Sequence, residues 1–330
     1  MSKEWPSISN SGISPAKYNH TPRPMQWLTF YLAYPFLWII SRLPDRLLYG
    51  LSDGLCFLIY RVIGYRKRVV RGNLVRVFPE KSLEEIKEIE KKFYHHFCDI
   101  FLEMVRTMSF SQKEMHRRMT YTNKEILEEF HQKGKSFIIM CGHYNSYEWL
   151  LSLASQIPHT SYALYTPITN KYFDRYIRRL RERFHSYLIS RYKAIEEIRR
   201  QQHQGMLCAY GLASDQSPSC SPKNYWRPFM GVTGPVFTGA ERIARQFNIP
   251  VVFCDIQKVK RGYYEATFTL ISEEPQQTPE HQITDIFTQM LECQIRKAPQ
   301  WPACSPETEC AGCRNSASPP SSPASAPASG

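Results

Sequence analysis

Two different hydrophobic patterns divide the N-terminal part of the chain. Residues 1–24 are polar and contain several Pro and Ser, and residues 25–40 then read MQWLTFYLAYPFLWII, apolar apart from Gln26 and Thr29. This run is shorter than the roughly 20 residues that a straight membrane span needs, and Pro35 lies in its middle. We therefore expect a loose arm over 1–24 and membrane-associated apolar helices over 25–64, kinked or lying in the interface. A buried helix of a soluble domain is the alternative.

A basic stretch directly follows these apolar segments. It reads YRKRVVRGNLVRVFPE and has five positive charges between Arg66 and Arg76, namely Arg66, Lys67, Arg68, Arg71 and Arg76. A solvated helix face would account for such a pattern. Its position after the apolar segments favours a surface held against anionic lipid headgroups, where each charge is worth about 1 kcal/mol.

The pattern over residues 82–108 is that of one long amphipathic helix. Ser82 and Glu85 have the spacing of a capping box. Apolar residues recur at steps of three and four, at Ile86, Ile89, Phe93, Phe97, Phe101 and Met104. The adjacent His95 and His96 point about 100° apart on a helix and cannot hold one metal ion. We interpret both as packing residues.

From Gly134 onward, short apolar runs alternate with amphipathic segments. This alternation predicts an α/β domain over residues 65–298, with a mixed central sheet flanked by helices. The sequence KVKRGYY, residues 258–264, has the character of a hairpin, and a last helix is expected over residues 279–297. The segment 299–330 is rich in Pro, Ser and Ala and is predicted to be disordered.

Composition and charge narrow the class of protein. The chain has 330 residues, 42% of them hydrophobic, and a net charge of +12, which indicates a globular protein with acidic partners. It has no helix-turn-helix, RNP-like or zinc-finger signature, so nucleic acid is not an expected partner. Of ten cysteines, seven are scattered through apolar segments, as reduced cysteines are, and Cys304, Cys310 and Cys313 cluster without a histidine. We expect neither a metal nor a cofactor.

The candidate chemistry lies in the stretch FIIMCGHYNSYEW. Its apolar run predicts a buried strand, and His143 follows at the strand end, where open α/β sheets bind their ligands. Glu148, five residues later, could accept a hydrogen bond from the imidazole and leave the other ring nitrogen as a general base. There is no G-x-S-x-G or H-E-x-x-H motif, and Cys141 belongs to the strand. The spacing alone does not distinguish a base that activates a substrate hydroxyl from a polar corner between strand and helix.

Several blocks in a fixed order resemble one known family. They resemble the lysophospholipid acyltransferase superfamily, and more closely its branch of bacterial lipid A late acyltransferases, over about residues 25–297. The blocks are RKRVVRGNL…FPE, a helix bearing Glu103, HYNSYE as an H-x₄-[DE] box, YTPITNKYFDRYIRRLRERF, SDQSP, RPFMGVTGP and IARQFNIPVV.

The resemblance implies acyl transfer from an acyl carrier protein thioester to a hydroxyl of a lipid A precursor, through a ternary complex without an acyl-enzyme. It implies His143 as general base and Glu148 as its orienting partner. Other matching positions would bind or support substrate: Arg181 and Arg183 on acceptor phosphate or oxyanion, Asp215 and Gln216 beside the site, Arg227, Phe229 along the acyl region, and Gly231 at a close backbone approach.

The implied partners are acyl carrier protein, an anionic membrane and a phosphorylated lipid acceptor, with the catalytic domain on the cytoplasmic side of the bacterial inner membrane. An enzyme of the same superfamily acting on a lysophospholipid or aminolipid is an alternative, and a non-catalytic basic membrane or nucleic-acid binder is a remote one. Two features depart from the family. His185 stands where glycine is usual, and the segment from Trp301 replaces a tryptophan-rich basic C-terminus.

Overall fold

The structure is a computed structural model that describes residues 25–219, 221 and 223–299. The arm predicted over residues 1–24 lies outside the described residues. So does the predicted tail from residue 300 onward, and with it the cluster formed by Cys304, Cys310 and Cys313.

The N-terminal helices pack around one long amphipathic helix. In chain order they are α1 (Gln26–Ser41), α2 (Asp45–Cys56), a π-helix (Phe57–Ile63), α3 (Lys67–Val77) and α4 (Leu83–Arg106). α4 confirms the long helix predicted from periodicity, and both halves of the capping box between Ser82 and Glu85 are present. α2 lies along α4, where the Ser52 hydroxyl donates a 2.7 Å hydrogen bond to Asp99.

The two adjacent histidines of α4 have different surroundings. His96 is buried, as predicted for a packing residue. The prediction is wrong for His95, whose side chain is partly exposed and lies 3.6 Å from a carboxylate oxygen of Asp53. Neighbours on a helix face different directions, so only one of the two can point into the core.

The remaining strands and helices build a mixed sheet with helices on both faces. The strands are β1 (Met119–Thr122), β2 (Phe137–Cys141), β3 (Thr160–Tyr165), β4 (Ser186–Ser190), β5 (Cys208–Ala213), β6 (Tyr225–Phe229), β7 (Val232–Val236), β8 (Val251–Lys260) and β9 (Tyr263–Ser272). The helices are α5 (Gln112–Arg118), α6 (Glu125–Gln132), a 3-10 helix (Tyr147–Ser155), α7 (Lys171–Glu182), α8 (Ala194–His203), α9 (Gly239–Phe247) and α10 (Gln282–Lys297).

Seven of these strands form one sheet in the order β1-β9-β8-β2-β5-β3-β4, and β6 pairs with β7. β2, β3, β4, β5 and β8 run parallel, and β9 is antiparallel to β8. The predicted α/β architecture with a mixed sheet is therefore confirmed, as are the β8–β9 hairpin and the last helix.

The core lies on both faces of the sheet, and β2 contributes to each. Ile138 and Met140 belong to the cluster under α8, α9 and α10, whereas Phe137, Ile139 and Cys141 belong to the cluster under the 3-10 helix and α6. A strand covered on both faces has no solvent side, which explains its uninterrupted apolar sequence. The six cysteines of the described residues are free thiols, and five of them are buried.

The N-terminal apolar segment forms an exposed surface. Tyr31, Leu32 and Phe36 of α1 are exposed, as are Phe57 and Val62 of the π-helix. Within the described residues, no individual helix has the length and apolarity to cross a bilayer. The two pieces Asp45–Ile63 and Lys67–Val77, bent by 94°, satisfy those criteria together. Membrane association of this segment stays a prediction.

The turn between α7 and β4 explains one departure from the resembled family. His185 has φ of +59°, in the left-handed region that glycine occupies freely. Histidine is one of the non-glycine residues enriched there. The substitution therefore keeps the left-handed turn with a different side chain.

Candidate active site

Strand register brings His143 and Asp215 together. β2 and β5 are parallel neighbours, and Cys141 at the end of β2 pairs with Ala213 at the end of β5. The Ser214 N–H then donates a 3.0 Å hydrogen bond to the Cys141 carbonyl. His143 and Asp215 each follow the paired ends by two residues, so both lie at the carboxyl edge of the sheet, where ligands of open α/β sheets bind.

The Asp215 carboxylate holds His143 with both of its oxygens. Oδ1 lies 2.5 Å from the imidazole Nδ1, and Oδ2 accepts a 2.8 Å hydrogen bond from the His143 backbone N–H. The Asp215 side chain is only 2% exposed, against 20% for His143. A carboxylate accepts from Nδ1–H, which leaves Nε2 with its lone pair. Nε2 has no hydrogen-bond partner among the described residues.

This environment makes the imidazole more basic. Burial lowers the pKa of His143, but the hydrogen bond and negative charge of Asp215, together with the charge of Glu148, outweigh it and raise the pKa above 6.5. A ring that is fixed in tautomer, partly exposed and of raised basicity has the properties of a general base.

Glu148 does not orient the imidazole, contrary to the prediction. Its carboxylate pairs with the guanidinium of Arg181 on α7. Glu148 lies in the first turn of the 3-10 helix, after Asn145 has turned the chain with φ of +53°. That turn carries the Glu148 side chain toward α7, while Asp215 from β5 reaches Nδ1. The charge of Glu148 still acts on His143 through space.

An apolar cavity of about 540 Å³ adjoins His143. His143, Glu148, Arg181 and Gln216 line it together with side chains of β2, β3 and β5. Its sheet wall includes the small residues Ala163, Ala209 and Gly211. The cavity therefore combines a polar end, where the general base lies, with an apolar interior.

Arg183 is not brought to this site. It is not among the cavity's lining residues. Its guanidinium donates hydrogen bonds of 2.9 Å to the carbonyls of Met108 and Phe110, in the link between α4 and α5. The two arginines predicted as a pair thus have separate surroundings, because Arg181 faces the cavity and Arg183 ties α7 to a neighbouring segment.

The β6–β7 hairpin carries the other three predicted positions. Arg227 donates a 2.6 Å hydrogen bond to Asp285 of α10. Phe229 lines a small second cavity of about 80 Å³ together with Asp215 and Gln216. Phe229 is not among the residues that line the large cavity beside His143, contrary to the expectation that it lies along the acyl region.

Gly231 serves the hairpin turn. Met230 and Gly231 both have positive φ, +52° and +77°, and join β6 to β7 as a two-residue loop. Such tight turns require positive φ at both central residues. A side chain added at Gly231 would meet nothing within 4 Å, so the position is not crowded by backbone.

Gly142 and Asn145 were missed by sequence reasoning. A Cβ on Gly142 would lie 2.7 Å from Leu291 Cδ1, so any larger residue directly before His143 would displace the Leu291 side chain. Asn145 Nδ2 donates a 2.7 Å hydrogen bond to the Ile256 carbonyl and fixes the far end of the loop. Their proximity to His143 was a signal, but the crowding and the hydrogen bond depend on tertiary contacts.

Cys141 is unsuited to be a nucleophile. Burial raises the pKa of its thiol well above the ordinary value, and the charges of Asp215 and Glu148 raise it further. The reactive form of cysteine is the thiolate, which this environment disfavours.

Glu103, the acidic residue of the long helix, lies in a separate buried cluster. It accepts hydrogen bonds from Tyr49 (3.0 Å) and Tyr264 (2.7 Å). Burial raises the pKa of its carboxyl to about 7, although the bond from Tyr264 favours the charged form. Glu103 thus links α2, α4 and β9 and has no contact with His143.

One comparison with known proteins identifies the family. No curated protein matches the chain at significant similarity. The model of the family described as bacterial lipid A biosynthesis acyltransferase matches residues 15–301, which is most of the 330-residue chain. The match covers both residues of the His143–Asp215 pair and ends near the start of the divergent C-terminal segment. The chain therefore belongs to the bacterial lipid A biosynthesis acyltransferases.

Proposed function

We propose that this protein transfers a fatty acyl chain from an acyl carrier protein thioester to a hydroxyl of a lipid A precursor, with His143 as general base. The observation that carries the proposal is the His143–Asp215 pair. Its free Nε2 lies on a cavity with an apolar interior, and Asp215 holds the opposite nitrogen at 2.5 Å.

The reaction proceeds in one ternary complex. Nε2 of His143 takes the proton of the acceptor hydroxyl as the oxygen attacks the thioester carbonyl. The carbon–sulfur bond then breaks, and the imidazolium returns the proton to the leaving thiolate. Throughout, the Nδ1–H bond to Asp215 stabilises the imidazolium. The buried, protonated Cys141 offers no competing covalent route.

Arg181 and Glu148 act at the same cavity as His143. Arg181 is the predicted cation that remains at the site, and it can stabilise the oxyanion or an acceptor phosphate. Its ion pair with Glu148 holds the guanidinium in place. In this scheme Glu148 positions Arg181, and Asp215 positions His143.

The acyl chain occupies the apolar interior. Leu150, Leu151 and Ile243 line it, and the small side chains of β3 and β5 leave the space open. Burying a methylene group contributes about 0.8 kcal/mol, so a long chain is held firmly by this cavity.

Net charge and exposed apolar surface support the proposed partners and location. A net charge of +12 suits an acidic carrier protein and an anionic membrane. The exposed side chains of α1 and the π-helix suit contact with a bilayer. The proposed location is the bacterial inner membrane, with the catalytic domain on the cytoplasmic side.

Purified protein tests the proposal. Acyl carrier thioester should be consumed only when a lipid A precursor is present, and His143→Ala should lower turnover by a factor of roughly 10²–10⁴. His203→Ala is the matched control, because His203 is exposed on α8 away from the site. Full turnover in His143→Ala, or an acyl group attached to the protein without acceptor, would contradict the mechanism. Competition between the precursor and a lysophospholipid in one assay identifies the acceptor class.

A further inference from the structure

A second cleft, of about 450 Å³, lies between α4 and the tip of the β8–β9 hairpin. Lys91 and Lys92 line it from α4, and Lys258, Lys260 and Arg261 line it from the hairpin. None of the roles assigned above to the active site uses this cleft, which we call the basic cleft.

Positive charge in the basic cleft exceeds negative charge, because five lysine and arginine side chains line it against the two carboxylates of Glu88 and Asp99. Asp99 is buried against Arg261 at 2.6 Å and Lys258 at 3.4 Å, so its charge is already compensated. Lys91, Lys92 and Lys260 form no ion pair with any residue that the structure describes. Three cations at one concave surface attract a multiply charged anion such as a phosphate group.

The basic cleft lies at the same sheet edge as His143. β8 runs parallel to β2, so its last residues, including Lys258 and Lys260, extend beyond the edge at which β2 ends. His96 in the cleft contacts Asn145 of the His143 loop. A molecule bound in the cleft is therefore close to the loop that carries the general base.

The hairpin side of the basic cleft includes one exposed apolar side chain. Val259, between Lys258 and Lys260, is 66% exposed. Cations beside exposed apolar residues are typical of surfaces that bind lipid headgroups.

We propose that the basic cleft binds the phosphate of a lipid headgroup. A concave site with several lysines suits a compact phosphate. The alternative occupant, an acidic carrier protein, requires a broader surface. The phosphate belongs either to the acceptor or to an anionic phospholipid of the bilayer. The acceptor case rests on the proposed function, whereas the phospholipid case does not.

The test is a pair of substitutions, Lys91→Gln with Lys92→Gln, in the full chain. Both side chains are exposed, so the fold tolerates the change. The control is Lys133→Gln with Arg199→Gln, which removes the same charge at exposed positions outside the cleft. One arm measures flotation with phosphatidylcholine vesicles with and without phosphatidylglycerol. The other measures kcat, the KM for phosphorylated acceptor and the KM for acyl carrier thioester.

We expect the double substitution to lower affinity by about 25-fold in at least one arm, because each lysine near an anionic surface contributes about fivefold. A loss with phosphatidylglycerol vesicles identifies the bilayer headgroup, and a raised acceptor KM at unchanged kcat identifies the acceptor phosphate. Equality with the control in both arms, or a rise confined to the KM of the acyl carrier protein, overturns the proposal. If the parent chain shows no acyl transfer, the proposed function fails while the vesicle arm still tests the cleft.

Discussion

Two carboxylates lie near His143, and they differ in how the chain brings them there. Glu148 is five residues away in sequence, yet it pairs with Arg181. Asp215 is 72 residues away and bonds to both Nδ1 and the backbone N–H of His143. The pairing of β2 with β5 produces the second contact, and a turn at Asn145 prevents the first. Proximity in sequence is therefore a poorer guide to the orienting group than the register of neighbouring strands.

The largest expected effect comes from the His143–Asp215 pair. His143→Ala should lower kcat by a factor of roughly 10²–10⁴, and Asp215→Ala should approach the same loss. Because the two residues act as one unit, the double variant should be no slower than His143→Ala alone. Steady-state kinetics of the three variants measure this. Losses that multiply in the double variant would mean that Asp215 acts independently of the imidazole.

A smaller effect is expected at Glu148. Glu148→Gln keeps a hydrogen-bond acceptor for Arg181 but removes the charge, so kcat should fall about tenfold, the equivalent of about 1.4 kcal/mol. In a double variant with Asp215→Ala, the two losses of kcat should multiply. In a double variant with Arg181→Ala, they should not. A decrease as large as that in His143→Ala would restore Glu148 as the partner of the imidazole.

The pH dependence separates the two carboxylates. His143 must be neutral to act as base, and because its pKa is raised, the acid limb of kcat/KM should lie at higher pH than for an ordinary histidine. Asp215→Asn removes the negative charge of Asp215, a main cause of the raised pKa of His143. Burial, which lowers that pKa, remains, so the acid limb should move to lower pH. Glu148→Gln should move it less. If the acid limb stays at the same pH in Asp215→Asn, Asp215 is not the group that raises the pKa of His143.

The smallest effect on activity is expected at Arg183. Arg183→Ala removes two hydrogen bonds to backbone carbonyls, so the free energy of unfolding should fall by about 1 kcal/mol while kcat stays unchanged. Urea denaturation and the acyl transfer assay measure the two quantities. Arg179→Ala, at an exposed position of the same helix, is the control. A large loss of kcat would place Arg183 at the active site.

Local patterns predicted much of the fold. The capping box and the apolar stripe predicted α4, and the uninterrupted run FIIMC predicted β2. The sequence KVKRGYY predicted the β8–β9 hairpin. The β6–β7 hairpin was missed because its turn, Met230–Gly231, has no Asn-Gly or Asp-Gly signal.

The sequence predicted which residues belong to the site better than it predicted their contacts with one another. His143, Asp215, Glu148 and Arg181 do lie together at one site, as the family resemblance implied. Which carboxylate meets the imidazole depends on the sheet order and on the turn at Asn145, and neither is a local property of the sequence.

The most direct test is an NMR titration of the His143 ring in the parent protein, Asp215→Asn and Glu148→Gln. The central claim is that Asp215, and not Glu148, fixes the tautomer and basicity of the imidazole. We predict that the pKa of His143 in the parent lies above the ordinary value for histidine, that it falls in Asp215→Asn and that it falls less in Glu148→Gln. A pKa that falls in Glu148→Gln and is retained in Asp215→Asn would contradict the account.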